Sequence, residues 1–403
     1  MVPAGFEKRD LDLGLRNTYG STKYPHHQIF QQRNNEMSAL KRPRLLLPTI
    51  MSTLLGSNLF NMIDNAIYNS NIVSTIHNTE NIKLIGTHDG SFHCDEALAI
   101  GLLKLLPEYR DATIVRTRNP EILDKCNIVV DVGAKYDPST HRYDHHQREF
   151  TGVLDGYNTK LSSAGLIYKH FGHAILREVF SSSDSPEPVT ESFVETAYQS
   201  LYKNFMEHID AIDNGVTISD GPLKYRISST LSNRVGQLNP NWNEPQTPEL
   251  MNERFMDAMS LTCSEFVIHA CELSKVWWPA RSIVQKAIDN RYNIHSSGKI
   301  IVLEQFCPWK EHLFEIEVES KVDPILYTLY EDAGGSWRIQ AVPQDPSSFF
   351  SRKKLPEHLC GLRDNILSEK VGIPGCIFIH ASGFIGGCAT KEGALNLAIK
   401  SLE

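Results

Sequence analysis

Three stretches of the chain concentrate side chains equipped for chemistry. Thr87-His88-Asp89-Gly90-Ser91-Phe92-His93-Cys94-Asp95-Glu96 follows the apolar run Lys83-Leu84-Ile85-Gly86. Asp131 stands at the exit of Asn127-Ile128-Val129-Val130, and Asp144-His145-His146 comes directly after Tyr143. Imidazoles mixed with carboxylates suit Mn2+, Fe2+ or Zn2+, whereas Mg2+ prefers oxygen ligands and keeps its water. Packed without a cation, such carboxylates would repel one another and drive their pKa values up. The group therefore makes electrostatic sense around metal, and Mn2+ is the expected ion, with Mg2+ as the alternative. Two ions about 3.5–4 Å apart would bring a bridging water toward a neutral pKa and clamp an in-line displacement at phosphorus. Hydroxide would then be the nucleophile, since the chain offers neither a Gly-x-Ser-x-Gly elbow nor a Walker glycine loop.

Histidines and aspartates that follow apolar runs need a parallel sheet to bring them to one edge. From Ile82 the pattern is strand, loop, helix. Asp95 to Leu106 reads as a helix stopped by Pro107, with acids in its first turn where the helix dipole favours them. Ala112–Val115 reads as a second strand, Pro120–Lys125 as a short helix, and Asn127–Val132 as a third strand. Ser162 to about Phe180 is a further helix with good capping residues at its start. This alternation predicts an α/β fold, a parallel sheet with helices on both faces. A later helix with Phe193, Ala197, Leu201 and Phe205 on one side ends in His208-Ile209-Asp210-Ala211-Ile212-Asp213-Asn214-Gly215. Asp210 and Asp213, three residues apart, can face the same cleft.

The chain has 403 residues, room for two domains of ordinary size, and its 41% hydrophobic and 22% charged residues describe a water-soluble globular protein. A formal net charge of -8 argues against a broad non-specific coat for nucleic acid and leaves room for one basic groove. Eight cysteines without any CxxC spacing fit neither a zinc ribbon nor a disulfide scaffold, so a reducing compartment is expected. Residues 1–80 are polar, rich in Asn, Gln and His, and read as a leader. Within them, Met37 to Ile63 lacks any acid and sets Lys41, Arg42 and Arg44 before an apolar run, as a transit peptide does. Lys41-Arg42-Pro43-Arg44 equally fits a short nuclear signal. Leu45 to Ile63 contains Pro48, Gly56, Asn58 and Asn61, so no membrane span is expected.

Residues 81–294 are read as the catalytic domain with a helical extension, Glu249 to about Asn290, interrupted at Pro279. Residues 295–403 are read as a smaller α+β domain. Its expected strands are Ile300–Leu303, Leu313–Val318, Ile325–Tyr330 and Trp337–Val342, and its terminal helix is Lys391–Leu402. This domain contains Gly372-Ile373-Pro374-Gly375 and His380-Ala381-Ser382-Gly383-Phe384-Ile385-Gly386-Gly387. Glycines so dense let backbone amides approach an anion, and Ser382 adds a hydroxyl. A plain glycine-rich turn is the alternative. His380, Ser382, Gly383, Gly386 and Gly387 are the candidate substrate-binding residues.

Assembled, these motifs resemble the Myg-type exonuclease family within the DHH phosphoesterase superfamily. The likeness runs over about 82 to 402. It includes Ile85-Gly86-Thr87-His88-Asp89-Gly90-Ser91-Phe92-His93-Cys94-Asp95-Glu96-Ala97, Tyr143-Asp144-His145-His146-Gln147-Arg148, Leu161-Ser162-Ser163-Ala164-Gly165, the His208–Gly215 segment and Ile373-Pro374-Gly375-Cys376-Ile377-Phe378. The resemblance implies a DHH-type catalytic domain, a C-terminal substrate-binding domain, and an Mn2+-dependent 3′–5′ exonuclease acting on single-stranded RNA in mitochondrion and nucleus. It further implies His88, Asp95, Asp131, His145 and Asp210 as metal ligands, His146 on the scissile phosphate and Asp144 as the group that orients it. His93 stands where the superfamily usually carries Asp, and the spacing from His88 to Asp95 is one residue longer than usual. That ligand position therefore stays open among His88, Asp89 and His93. Two other readings keep the metal site, a small-molecule phosphoesterase or pyrophosphatase and a non-catalytic metal-stabilised RNA-binding protein.

Overall fold

A computed structural model describes residues 57–76, 82–183 and 188–403. The basic run at Lys41–Arg44 and the greater part of the expected leader lie outside these residues. Strand β1 (Ile72–Val73) is preceded by helix α1 (Ser57–Tyr68). Next come β2 (Leu84–Thr87), α2 (Cys94–Leu105), β3 (Thr113–Arg116), α3 (Pro120–Leu123), β4 (Ile128–Val130), β5 (Tyr136–Asp137) and β6 (Arg142–Tyr143). The sheet order is β1-β3-β2-β4-β6-β5, parallel throughout except for β5 on the edge. From β2 the chain steps to one side to form β3, then crosses back over to form β4 on the other. β2 is thus the switch point, beyond whose carboxyl end an open α/β sheet forms its crevice.

Neighbouring residues of each strand point to opposite faces. Ile85, Ile114, Ile128 and Val130 join the main core, and Leu84, Val115 and Val129 meet Leu123 and Cys126 on the other side. Helix α2 is buried at all twelve positions because it lies between the sheet and two longer helices, α4 (Ser163–Ser181) and α8 (Pro248–Glu272). Between these two come α5 (Glu191–Leu201), a π-helical turn (Tyr202–Met206), α6 (Glu207–Asp213) and α7 (Leu231–Gly236). No helix among the described residues is long and apolar enough to cross a membrane.

The second sheet, ordered β10-β11-β9-β8-β7, consists of β7 (Ile300–Val302), β8 (Tyr327–Glu331), β9 (Trp337–Ala341), β10 (Cys376–Ile379) and β11 (Ile385–Cys388). One face packs on α9 (Ala280–Asp289) and α11 (Lys310–Ser320), the latter following the short α10 (Arg291–Ile294). The other face packs on α12 (Asp364–Val371) and α13 (Lys391–Lys400).

Three expectations change. The chain before residue 80 is not all leader, because Leu59, Ile63 and Ile67 of α1 are buried in the main core and β1 pairs with β3. The second core reaches back to Ala280, ahead of the expected boundary at 295. Leu313–Val318 is helix, not strand: Leu313, Ile316 and Glu317 are its buried positions, three and four residues apart, and Val318 is exposed.

Candidate metal centre

The loop after β2 carries His88, and helix α2 begins immediately after His93. Asp95 and Glu96 occupy its first turn, and the Glu96 carboxylate accepts from the His93 amide at 2.8 and 3.0 Å. This is half of a capping box, which turns Glu96 back toward the strand end. Arg116, at the end of β3 and buried against the rings of Phe92 and Phe255, donates to the Gly90 carbonyl at 2.8 Å and so holds the loop. Asp131 follows β4 in the left-handed region at φ 58°, an unfavourable conformation for a residue with a Cβ. Asp144 and His145 follow β6.

Asp131 lies at the middle of the group. One carboxylate oxygen is 3.4 Å from His88 Nε2, and the other is 3.4 Å from His145 Nε2 and 3.5 Å from His146 Nδ1. Glu96 approaches His88 Nε2 at 3.0 Å, and Asp213 approaches His145 Nε2 at 3.0 Å. Potential ligand atoms thus form three overlapping sets: His88, His93, Glu96 and Asp131; Asp131, His145 and His146; and Asp95, His145 and Asp213. Asp95, Glu96, Asp131, His88 and His145 are all buried.

The hydrogen bonds fix which ring nitrogen faces inward. His88 Nδ1 meets the Asp89 carbonyl at 3.0 Å, an acceptor only, so Nδ1 carries a proton and Nε2 is the nitrogen that faces the acids. Asn214 gives its amide hydrogens to the Lys160 and Asp210 carbonyls, so its oxygen accepts from His145 Nδ1 at 3.3 Å. His145 Nε2 is aimed the same way as His88 Nε2. The fit to a cation is direct: among the described residues Asp95 Oδ1 is buried without a hydrogen-bond partner, and buried His145 Nε2 faces the carboxylates of Asp131 and Asp213. Burial alone would lower the two imidazoles, yet Asp131 with Glu96 holds His88 up to about 10, and Asp131 with Asp213 holds His145 up to about 10. Asp95 is pushed well above the usual carboxylate range by burial and by the charges of Asp131, Asp213 and Glu96. Burial opposes ionisation of Asp131 too, but His145 and His88 hold it below that range. In each case protons supply positive charge that a metal ion could supply instead.

His146 differs from the other two. Asp144 accepts from both its amide and its Nδ1, at 3.1 and 2.8 Å, and takes the Ala134 amide on its second oxygen at 2.6 Å. The His146 side chain is 62% exposed. With Nδ1 tied to Asp144, its Nε2 is left for a cavity of 350 Å³ lined by Phe92, His93, His146, Ile212, Asp213 and Ser232.

Asp210, the ligand that the resemblance implies, is elsewhere. Its carboxylate accepts from the amide and hydroxyl of Ser162 at 2.9 and 2.7 Å and from the Tyr202 hydroxyl at 3.1 Å. It fits there because residue 165 is glycine: a Cβ would stand 2.4 Å from both Asp210 oxygens. Asp210 thus fixes the start of α4, whose Ser163 donates to Asp131 at 3.1 Å and, through its amide, to Asp95 at 3.3 Å. The centre is faced instead by Asp213, one turn further on. Glu96 was missed as a ligand candidate, and the available signal was its position three residues after the helix-capping His93.

In the C-terminal sheet, Gly386 and Gly387 lie on a strand paired on both sides, so the ladder takes up their backbone groups and they cannot cradle an anion. A Cβ on Gly387 would collide with Arg338 and Phe378, which explains its glycine by packing. His380 and Ser382 form an exposed turn, their side chains 2.8 Å apart, and Gly383 closes it at φ 72°.

The fold and the site define an α/β protein with a buried imidazole–carboxylate cluster, suited to metal, on the carboxyl edge of a parallel sheet. Residues 84–402 match the model of the MYG1 exonuclease family, described as "Uncharacterised protein family (UPF0160)", and the chain belongs to that family. It is 50% identical to the "MYG1 exonuclease" of Rattus norvegicus over 79% of this chain and 84% of that protein. It is likewise 50% identical to the "MYG1 exonuclease" of Homo sapiens over 79% and 85%. Against the "MYG1 protein" of Dictyostelium discoideum it is 48% identical over 79% and 96%.

Proposed function

We propose that this protein is a metal-dependent exonuclease that removes nucleotides from the 3′ end of single-stranded RNA. The observation that carries the reading is Asp131, whose two oxygens face separate histidines and which therefore belongs to two ligand sets at once. His88, His93, Glu96 and Asp131 would hold one cation, and Asp95, Asp131, His145 and Asp213 the other. A pair of Mn2+ ions bound there would supply Lewis acidity for activating water and neutralising a phosphodiester. Ser163 holds Asp131 and Asp95 in place, and Asn214 and the Asp89 carbonyl keep His145 and His88 in the ligating tautomer. Asp144 holds the His146 ring through Nδ1 and leaves Nε2 as the atom that would meet a phosphate oxygen in the cavity. The exonuclease class rests on the MYG1 exonucleases to which the chain is 50% identical. The metal's identity, the RNA substrate and the polarity follow the motif resemblance.

The test is digestion of 5′-labelled single-stranded RNA across a series of divalent ions. The wild-type chain should give progressively shorter labelled fragments, best in Mn2+, while a circular RNA stays intact. Asp131→Ala and the pair His145→Ala/His146→Ala should lose this activity at least about a thousandfold, as expected when groups acting as a unit are removed. Wild-type rates in the double variant would falsify the reading.

A further inference from the structure

Between Asp213, in the metal centre, and α7, which lines the adjoining cavity, the chain makes an excursion that the fold leaves bare. Every residue from Gly215 to Ser229 is exposed. They include Val216, Ile218, Leu223, Tyr225 and Ile227, with Tyr225 75% accessible. Large apolar side chains uncovered at this density mark a surface that meets something. Lys224 and Arg226 flank Tyr225, and neither has an ion-pair or hydrogen-bond partner among the described residues. Asp220 is the one acid of the segment. Further along the chain, past α7, Trp242 is 93% exposed. In the chain between them, α7 is fixed: Leu231 and Val235 are buried, and Arg234 grips both oxygens of Glu265.

An aromatic ring between two unpaired cations suits a polymer that alternates anionic groups with flat ones. Phosphates take the cations, and unpaired bases stack on rings whatever their sequence. A protein partner would account for the apolar residues and leave the cations unexplained. We propose that Gly215–Ser229, together with Trp242, binds the single-stranded RNA entering the centre. Lys224 and Arg226 contact phosphates, and Tyr225 and Trp242 contact base faces. The choice of RNA rests on the exonuclease reading above. Duplex RNA, whose bases are already stacked, is excluded from the rings.

Fluorescence anisotropy of the full chain with short labelled single-stranded RNA, in chelator so that nothing is cleaved, tests this. Lys224→Ala/Arg226→Ala should weaken binding about tenfold at low salt and reduce the log–log salt slope by about 1.4, the value for two single-strand phosphate contacts. Tyr225→Ala should weaken it about fivefold or more at an unchanged slope, and Tyr225→Phe should restore it. Wild-type affinity and slope in Lys224→Ala/Tyr225→Ala/Arg226→Ala overturn the proposal, as does equal binding of duplex by the wild-type chain. A change in the sedimenting mass of the triple variant with its RNA affinity intact also overturns it, by assigning the segment to protein contact. Loop-dependent RNA binding without cleavage in any divalent ion would sink the exonuclease reading and leave this one standing.

Discussion

Asp210 and Asp213 are chemically identical and one helical turn apart, and the fold uses them for different tasks. Asp213 reaches the candidate metal centre partly exposed, whereas Asp210 is fully buried against the first turn of α4. Burial pushes Asp210 up from 3.8 to about 7, against the hydrogen bonds from Ser162, Tyr202 and Gly165, which favour its ionised form. The direction of the pH effect follows. Between 3.8 and about 7 the unfolded chain has released this proton while the folded chain retains it. Raising the pH through that window therefore drains stability, by about 1.4 kcal/mol for each pH unit crossed. Asp210→Asn keeps an oxygen for Ser162 and removes the titration. Urea unfolding in chelator should show the wild type losing stability relative to this variant as pH climbs from 4 to 7. Parallel pH profiles would mean that Asp210 ionises normally and that its burial is supported some other way. A sequence that places two aspartates on one helix says only that they share a face. Which of them a neighbouring glycine admits is fixed by α4, a different part of the chain.

At the scale of elements, α1 is the piece that most alters the reading of the chain. Ile63 and Leu59 are buried with α2 and α8, so a transit-like segment running from Met37 to Ile63 would have its last turns inside the core. Ile63→Ala should destabilise the protein by about 2–4 kcal/mol, the usual range for removing a buried isoleucine, measured by denaturant unfolding. A loss within a few tenths of a kcal/mol would show α1 to be an appendage. The strands and helices from β2 to β4 were legible because each apolar run ends in punctuation: the polar loop after β2, Pro107 after α2, and Pro120 opening α3. Helix α1 was obscured because its asparagines and the basic run before it pointed to a leader. Helix α11 was obscured because Ile316 and Val318 are β-branched, which mimics a strand over a short window. His88 and Asp131 were legible because each stands at the end of an apolar run, and Asp95 and His145 because they sit in short motifs dense in His and Asp. Glu96 was not, since its role depends on where α2 begins.

Taken whole, the molecule carries a formal charge of -8 and buries Asp95, Glu96 and Asp131 together at one sheet edge, so the centre's occupancy must be coupled to pH. In the metal-free chain His88 and His145 act as the local cations. Their folded pKa values of about 10 lie above the ordinary 6.5. The stability they contribute is complete below 6.5, where both folded and unfolded chains are protonated, and it is lost as pH rises through about 10. A divalent ion entering this site must displace those protons, because a ligating imidazole is neutral. Calorimetric titration with Mn2+ in buffers of different ionisation enthalpy should therefore record release of about one proton per ion near pH 8, about two for the pair, with the apparent affinity of each site rising about tenfold per pH unit. At a hundred times its dissociation constant the ion should add about 2.7 kcal/mol to unfolding. It should also flatten the alkaline loss of stability, because positive charge no longer depends on the histidines. Mn2+ uptake with no proton release would place the ion away from His88 and His145, and the two ligand sets joined at Asp131 would then not be where metal binds.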